Sequence, residues 1–243
     1  MPPLRSSFLV DCLCLLLALT LAACFFCGQA ATGEETVPGE KTVPIYRCGK
    51  VEEKKIALTF DDGPHPTLTP EILAILEEND VKASFFVIGV NAEKHPELVA
   101  REAAAGHEVG LHTYTHLRLP EKNAAVIGDE LRQEQTLLAP LVGGISPSLF
   151  RPPEGVCTEA VKEAATENGC TVVLWSVDTR DWTHRPAADI AAAVLREVRP
   201  GSIILMHDYI SGGSPTPEAL QILLPALRRE GYTFCTVSEL LNL

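Results

Sequence analysis

Lys55-Ile56-Ala57-Leu58-Thr59-Phe60-Asp61-Asp62-Gly63-Pro64 is the stretch from which the rest of the chain can be read. Its apolar run, Ile56 to Phe60, has the length and composition of a buried strand, and Gly63-Pro64 ends it abruptly. Two carboxylates therefore stand side by side at the C-terminal end of a strand. Neighbouring strand residues point to opposite faces, so Asp61 and Asp62 meet different surroundings and need not share a task. One could take a metal ion while the other handles a proton. Asp, Gly and Pro are also what ordinary turns favour, so the stretch alone does not separate a reaction centre from a turn.

Outward from this run, strand-like and helix-like segments alternate. Strands are expected over residues 56–60, 83–89, 108–112, 149–152, 171–178, 202–207 and 233–237. Helices are expected over 69–79, 96–105, 124–141, 158–168, 187–198 and 217–229, with Gly169 and Gly231 as stops. Such alternation predicts an α/β fold of parallel strands surrounded by helices, and seven strands suit a distorted (β/α)7-type barrel. A doubly wound open sheet is the alternative. Barrels of this kind build their active sites at the C-terminal strand ends. Asp61 and Asp62 follow the first strand, His112 ends the third and Arg151 the fourth, Asp178 and Asp181 follow the fifth, and His207 ends the sixth. They are expected to converge on one mouth.

The 243 residues, 46% of them hydrophobic, suffice for one domain of about 200 residues and a leader. Net charge is -12 and the Lys and Arg residues are scattered singly or in pairs, which excludes a nucleic-acid partner. Arg5 precedes an apolar segment over 12–23 that is short for a membrane span but right for a signal-peptide core. Leu21-Ala22-Ala23-Cys24 resembles the bacterial lipobox, which implies cleavage after a 1–23 signal peptide and lipid on Cys24. An uncleaved anchor running through Phe25-Phe26 is the alternative, and either places the domain on the extracellular face. Residues 24–43, Gly-, Thr-, Glu- and Pro-rich beyond Gln29, read as a flexible tether to a folded domain over 44–243. Cys48, Cys157, Cys170 and Cys235 of that domain show no C-x-x-C spacing, which argues against a structural zinc site, and no disulfide is predicted.

His112-Thr113-Tyr114-Thr115-His116 supplies two imidazoles four residues apart. That spacing lets both bind one ion from a helical turn or tight loop, and a carboxylate would complete a three-ligand site with an open position for water. With Asp62 across the mouth, the set suits zinc or another divalent transition ion.

Thr59 to Pro64, His112 to His116, Arg151-Pro152-Pro153-Glu154-Gly155, Asp178-Thr179-Arg180-Asp181-Trp182 and Leu205-Met206-His207 follow one another as five motifs do in the polysaccharide deacetylases. The chain resembles that family, also called the NodB-homology domain or carbohydrate esterase family 4, over roughly residues 50–240. The resemblance implies that Asp62, His112 and His116 hold a divalent metal, zinc first with cobalt or another ion as alternatives. It implies that Asp61 is the general base, oriented and kept ionised by Arg151, and that His207 is the general acid, held protonated by Asp181. Trp182 and Leu205 would wall a pocket for the acetyl methyl, and the backbone N–H of Glu154 would help to bind the oxyanion. Many members carry Tyr where this chain has Glu154, whose carboxylate is expected to point outward. Asp178 is assigned a structural part.

The resulting expectation is an exported, lipid-anchored, metal-dependent hydrolase of carbon-nitrogen bonds other than peptide bonds. It would remove N-acetyl groups from amino sugars of a cell-wall polysaccharide, with peptidoglycan ahead of chitin-like oligomers or an exopolysaccharide. A monomer is expected, meeting the membrane only through its N-terminal anchor. The rivals are a wall-binding lipoprotein that holds sugar without hydrolysing it, and a deacylase of a small amide or an O-acetyl ester.

Overall fold

Strand β1 (Ile45–Tyr46) is followed by β2 (Lys55–Asp61), β3 (Ser84–Val87), β4 (Glu108–Leu111), β5 (Leu149–Phe150), β6 (Thr171–Val173), β7 (Val177–Asp178), β8 (Ile203–His207) and β9 (Thr233–Cys235) in a computed structural model that describes residues 43–243. The expected signal peptide, the Cys24 lipid site and the tether up to residue 42 lie outside the described residues. Val43, the last residue of that tether, is buried against the core. No described helix is long and apolar enough to cross a membrane.

All these strands pair in parallel, in the order β1-β6-β5-β4-β3-β2-β8-β7, with β9 also beside β2. The segment 171–178, expected as one strand, is broken at Leu174-Trp175-Ser176 into β6 and β7. Its first half pairs with β5 and its second with β8, on opposite sides of the sheet path. Three linking residues span only about 10 Å, so this break draws the two sides together and curls the sheet into an incomplete barrel. The barrel, rather than the open doubly wound sheet, is the architecture.

Outside it lie α1 (Leu68–Glu78), α2 (Gly89–Lys94), α3 (Pro96–Ala104), α4 (Ala124–Leu138), α5 (Glu159–Glu167), α6 (Ala187–Glu197), α7 (Thr216–Arg229) and α8 (Val237–Leu241). Two of these replace expected strand ends, since β3 stops at Val87 before α2 and β9 at Cys235 before α8. The expected helix 124–141 ends at Leu138 and continues as a 3-10 turn over Ala139–Val142, where Pro140 cannot donate to the preceding turn. Asn123 and Thr158 cap α4 and α5 by accepting the Val126 and Val161 N–H groups.

β2 is apolar on both faces because both are covered. Ile56, Leu58 and Phe60 pack outward with Ile72, Leu76 and Phe85, and the Phe60 and Phe85 rings stack at 5.0 Å. Ala57 belongs to a second, inner cluster with Phe86, Leu149, Val173 and Ile203. Residues of one parity share a face, so Thr59 and Asp61 follow Ala57 toward the interior.

Candidate metal and acid–base centre

That parity meets Arg151, which directly follows β5 and is fully buried. Its Nη1 donates to Thr59 Oγ1 and to Asp61 Oδ1, both at 2.7 Å. Its Nε and Nη2 donate to the Val173 and Leu174 carbonyls at 3.2 and 3.1 Å. The break between β6 and β7 thus supplies acceptors as well as curvature. The guanidinium also lies 4.1 Å from the centre of the Phe86 ring. Burial pulls the Arg151 pKa below its usual value while Asp61 acts in the opposite direction, and the two desolvated charges pair.

Asp62 leaves the strand in the left-handed region, φ 76°, which few non-glycine residues adopt. Its N–H donates to the Phe86 carbonyl at 3.2 Å and its own carbonyl accepts from Asn91 Nδ2 at 2.8 Å. The next residue must be glycine, because a Cβ on Gly63 would lie 2.0 Å from Asp208 Oδ2. Asp208 is itself held by Thr69 Oγ1, which donates to Oδ2 at 2.5 Å.

So turned, Asp62 Oδ1 stands 3.3 Å from His112 Nε2 and 3.4 Å from His116 Nε2. His112 Nδ1 meets the Arg151 carbonyl at 2.7 Å; a carbonyl only accepts, so Nδ1 carries a proton and Nε2 is the nitrogen turned toward Asp62. The three ligand atoms lie within 4.8 Å of one another. Asp62 Oδ1 is buried and accepts no hydrogen bond, the arrangement a cation would satisfy. Tetrahedral zinc with bonds of about 2.0–2.1 Å would hold its ligand atoms about 3.4 Å apart, so the donors fit such an ion in type and the two carboxylate–imidazole distances fit it in spacing. Burial works against the Asp62 charge, but His112 at 3.3 Å, with His207 and His116 behind it, holds its pKa below the usual carboxylate value. Asp61 Oδ2 lies 4.0 Å from His112 Nε2, beside the same point.

His207 is the register partner of Asp61 across β2 and β8. Its Nδ1 meets Asp181 Oδ1 at 2.7 Å, and its backbone N–H donates to Oδ2 at 2.8 Å. Thr216 Oγ1 donates to that Oδ2 at 2.7 Å, and the Trp182 N–H to Oδ1 at 3.0 Å, so the buried Asp181 carboxylate is fully engaged. Burial disfavours charge on His207, but Asp181, with Asp61 and Asp62 behind it, outweighs burial and pushes the pKa up to about 9.

The remaining expected residues sit around this group. Leu205 is buried on the same strand face as His207, and Trp182 is 55% exposed. Glu154 has φ 58° and is exposed, yet its charge reaches His116. Asp178 accepts the Arg180 N–H at 2.9 Å, a local turn contact. The sequence reading did not single out Thr59, Asn91, Glu130, Glu134, Asp208 or Thr216. A signal existed for Thr59, a polar residue of Asp61 parity in an apolar strand. Another existed for Glu134, a carboxyl on the α4 face that buries Ile127, Leu131 and Leu138.

The sequence pattern of polysaccharide deacetylases matches residues 49–173. A Bacillus cereus protein described as a peptidoglycan-N-acetylglucosamine deacetylase is 40% identical over 78% of this chain and 89% of its own. A crystal structure of a peptidoglycan N-acetylglucosamine deacetylase with 4-naphthalen-1-yl-N-oxidanyl-benzamide superposes with TM-score 0.79 at 37% identity, covering 82% of this chain and 94% of that one. A family 4 acetyl xylan esterase from Clostridium thermocellum, solved with a cobalt ion, gives TM-score 0.71 at 34% identity over 77% and 90% of the two chains. With its motifs converging on one centre and these likenesses spanning most of its length, the chain belongs to the polysaccharide deacetylase family.

Proposed function

We propose that this deacetylase is exported, anchored by lipid at Cys24, and removes N-acetyl groups from the amino sugars of peptidoglycan with zinc as its metal. The observation that carries the catalytic reading is the orphaned Asp62 Oδ1 between two imidazoles, with an Arg-paired carboxylate and an Asp-paired imidazole beside it. Asp62, His112 and His116 would hold the ion. When bound, it supplies a Lewis acid that polarises the acetamide carbonyl and acidifies water.

Asp61, aimed by Arg151 at its Oδ1, takes the proton of the attacking water at its free Oδ2. His207, protonated through Asp181, delivers a proton to the departing amine nitrogen. The Glu154 N–H faces the developing oxyanion, and Trp182 and Leu205 border the acetyl group. The peptidoglycan assignment is supported by the Bacillus cereus relative, and the lipid anchor by the Leu21-Ala22-Ala23-Cys24 motif. An O-acetyl ester is the second reading, favoured by the likeness to the acetyl xylan esterase.

Acetate and free amine released from peptidoglycan, chitin oligomers and acetylated xylan decide between these readings, measured after metal stripping and after adding back zinc or cobalt. Metal-restored acetate with an equal yield of amine, highest on peptidoglycan, is the expected result. Acetate without amine supports the ester reading, and a folded, metal-loaded protein that releases no acetate defeats the proposal.

A further inference from the structure

The loop that carries both imidazoles is gripped by a helix that sends no group into the centre. Glu130 and Glu134 stand one turn apart on α4. Glu134 Oε1 accepts the His112 N–H at 3.1 Å. Glu130 accepts the Thr115 N–H at 2.7 Å, and the Thr115 hydroxyl lies 3.0 Å from each of its oxygens. Within the loop, Thr113 and His116 take φ values of 67° and 55°, both in the left-handed region that non-glycine residues rarely occupy. Such backbone persists only where its surroundings over-determine it.

The other side of the loop is fixed as well. The Gly89 and Val90 N–H groups donate to the Thr113 and Tyr114 carbonyls at 3.3 and 2.8 Å, and the Tyr114 hydroxyl donates to Glu93 at 2.9 Å. A Cβ on Gly89 would lie 2.4 Å from the Tyr114 ring. The loop is therefore clamped between α2 and the two carboxyls of α4. Glu134 is fully buried and its Oε2 has no hydrogen-bond partner, an unfavourable placement that folding alone does not require.

We propose that Glu130 and Glu134 are positioning residues of the metal centre, their carboxyls holding the backbone of the 112–116 loop so that both imidazole Nε2 atoms face Asp62 Oδ1. This rests on the reading of Asp62, His112 and His116 as metal ligands. Replacing either carboxyl loosens the ligand loop while leaving every ligand side chain in the sequence.

Zinc and cobalt titrations of the metal-stripped full chain, by calorimetry or chelator competition, test the proposal with Glu130→Ala, Glu134→Ala, Glu134→Gln and Asp62→Ala. Loss of either carboxyl weakens metal binding by about 10- to 100-fold, the range found for outer partners of metal ligands. KM for the glycan at saturating metal stays unchanged, and Glu134→Gln, which keeps an oxygen for the His112 N–H, restores binding close to wild type. If Glu134→Ala fails to fold, the half-buried Glu130 decides through Glu130→Ala. Both alanine variants binding metal as wild type does, beside a weakened Asp62→Ala, would overturn the clamp alone, whatever their melting temperatures. An Asp62→Ala protein that binds metal undiminished would overturn the metal reading and the clamp with it.

Discussion

The two ends of the barrel are built from the same strands and carry opposite chemistry. At the mouth, Asp62, Thr113, His116, Glu154, Arg180 and His184 all adopt left-handed backbone without being glycine. Asp61, His112, Arg151 and Asp181 are buried there in paired arrangements. At the base, a cavity of about 640 Å³ opens between Lys55, Thr233, Cys235, Ser238 and Glu239. It is bordered by α8, an ordinary helix with a Thr236–Glu239 capping box and a left-handed Asn242 at its end. This hollow thus lies away from the reactive groups. Held strain and desolvated, paired charge mark the chemical end better than open volume does.

The strongest way to break this contrast is a one-atom change at each end. Asp61→Asn keeps an oxygen for Arg151 but removes the base, and turnover is expected to fall by about 10²- to 10⁴-fold. Glu239→Gln at the base leaves turnover unchanged. Acetate release at saturating metal, with melting curves to establish folding, measures both. A folded Asp61→Asn protein with wild-type turnover would remove the mouth's claim to the reaction.

A smaller effect sharpens the role of paired charge. His207 must be protonated to serve the leaving amine, and Asp181 pushes its pKa up to about 9, so activity should hold with rising pH and fall above that value. Asp181→Asn removes the first of the influences that raise it, and the alkaline limb should move down by about two pH units toward the ordinary histidine value. The sign carries over to stability. A histidine raised by folding stabilises fully below its unfolded pKa, and this contribution disappears as pH rises through about 9. Rate profiles and melting temperatures between neutral and alkaline pH would show both, and an alkaline limb unmoved in Asp181→Asn would contradict the pairing.

Much of the mouth was legible because its chief residues are isolated polar groups at the ends of apolar runs. β2, β4 and β8 carry that signature plainly, which made the parallel barrel readable, though the seven expected strands become nine with the two-residue β1 and the division of 171–178. The break in 171–178 was not, since Thr171-Val172-Val173-Leu174 contains neither Gly nor Pro to punctuate it. Its cause is tertiary, with Leu174 N–H bonded to Tyr46, Ser176 N–H to Ile203, and Arg151 on the freed carbonyls. α2 was hidden because the apolar run of β3 continues through Ile88 without a cap. Asn91, Glu130 and Glu134 act on backbone groups far away in sequence, and such contacts leave no spacing to find.

The mildest test concerns the base. The Thr236 hydroxyl accepts the Glu239 N–H at 3.3 Å, and Glu239 Oε2 accepts the Thr236 N–H at 2.9 Å, closing the first turn of α8. Thr236→Ala should cost about 1 kcal/mol and lower the melting temperature by about 2–4 °C in a domain of this size. Val237 and Leu240 pack into the inner cluster, and β9 pairs with β2 only over Lys55, Ile56 and Ala57, the end away from Asp61. Turnover should therefore stay at the wild-type rate. A fall in turnover beyond the unfolded fraction would mean that strain at the base travels along β2 to Asp61, and the two ends would have to be treated as one mechanical unit.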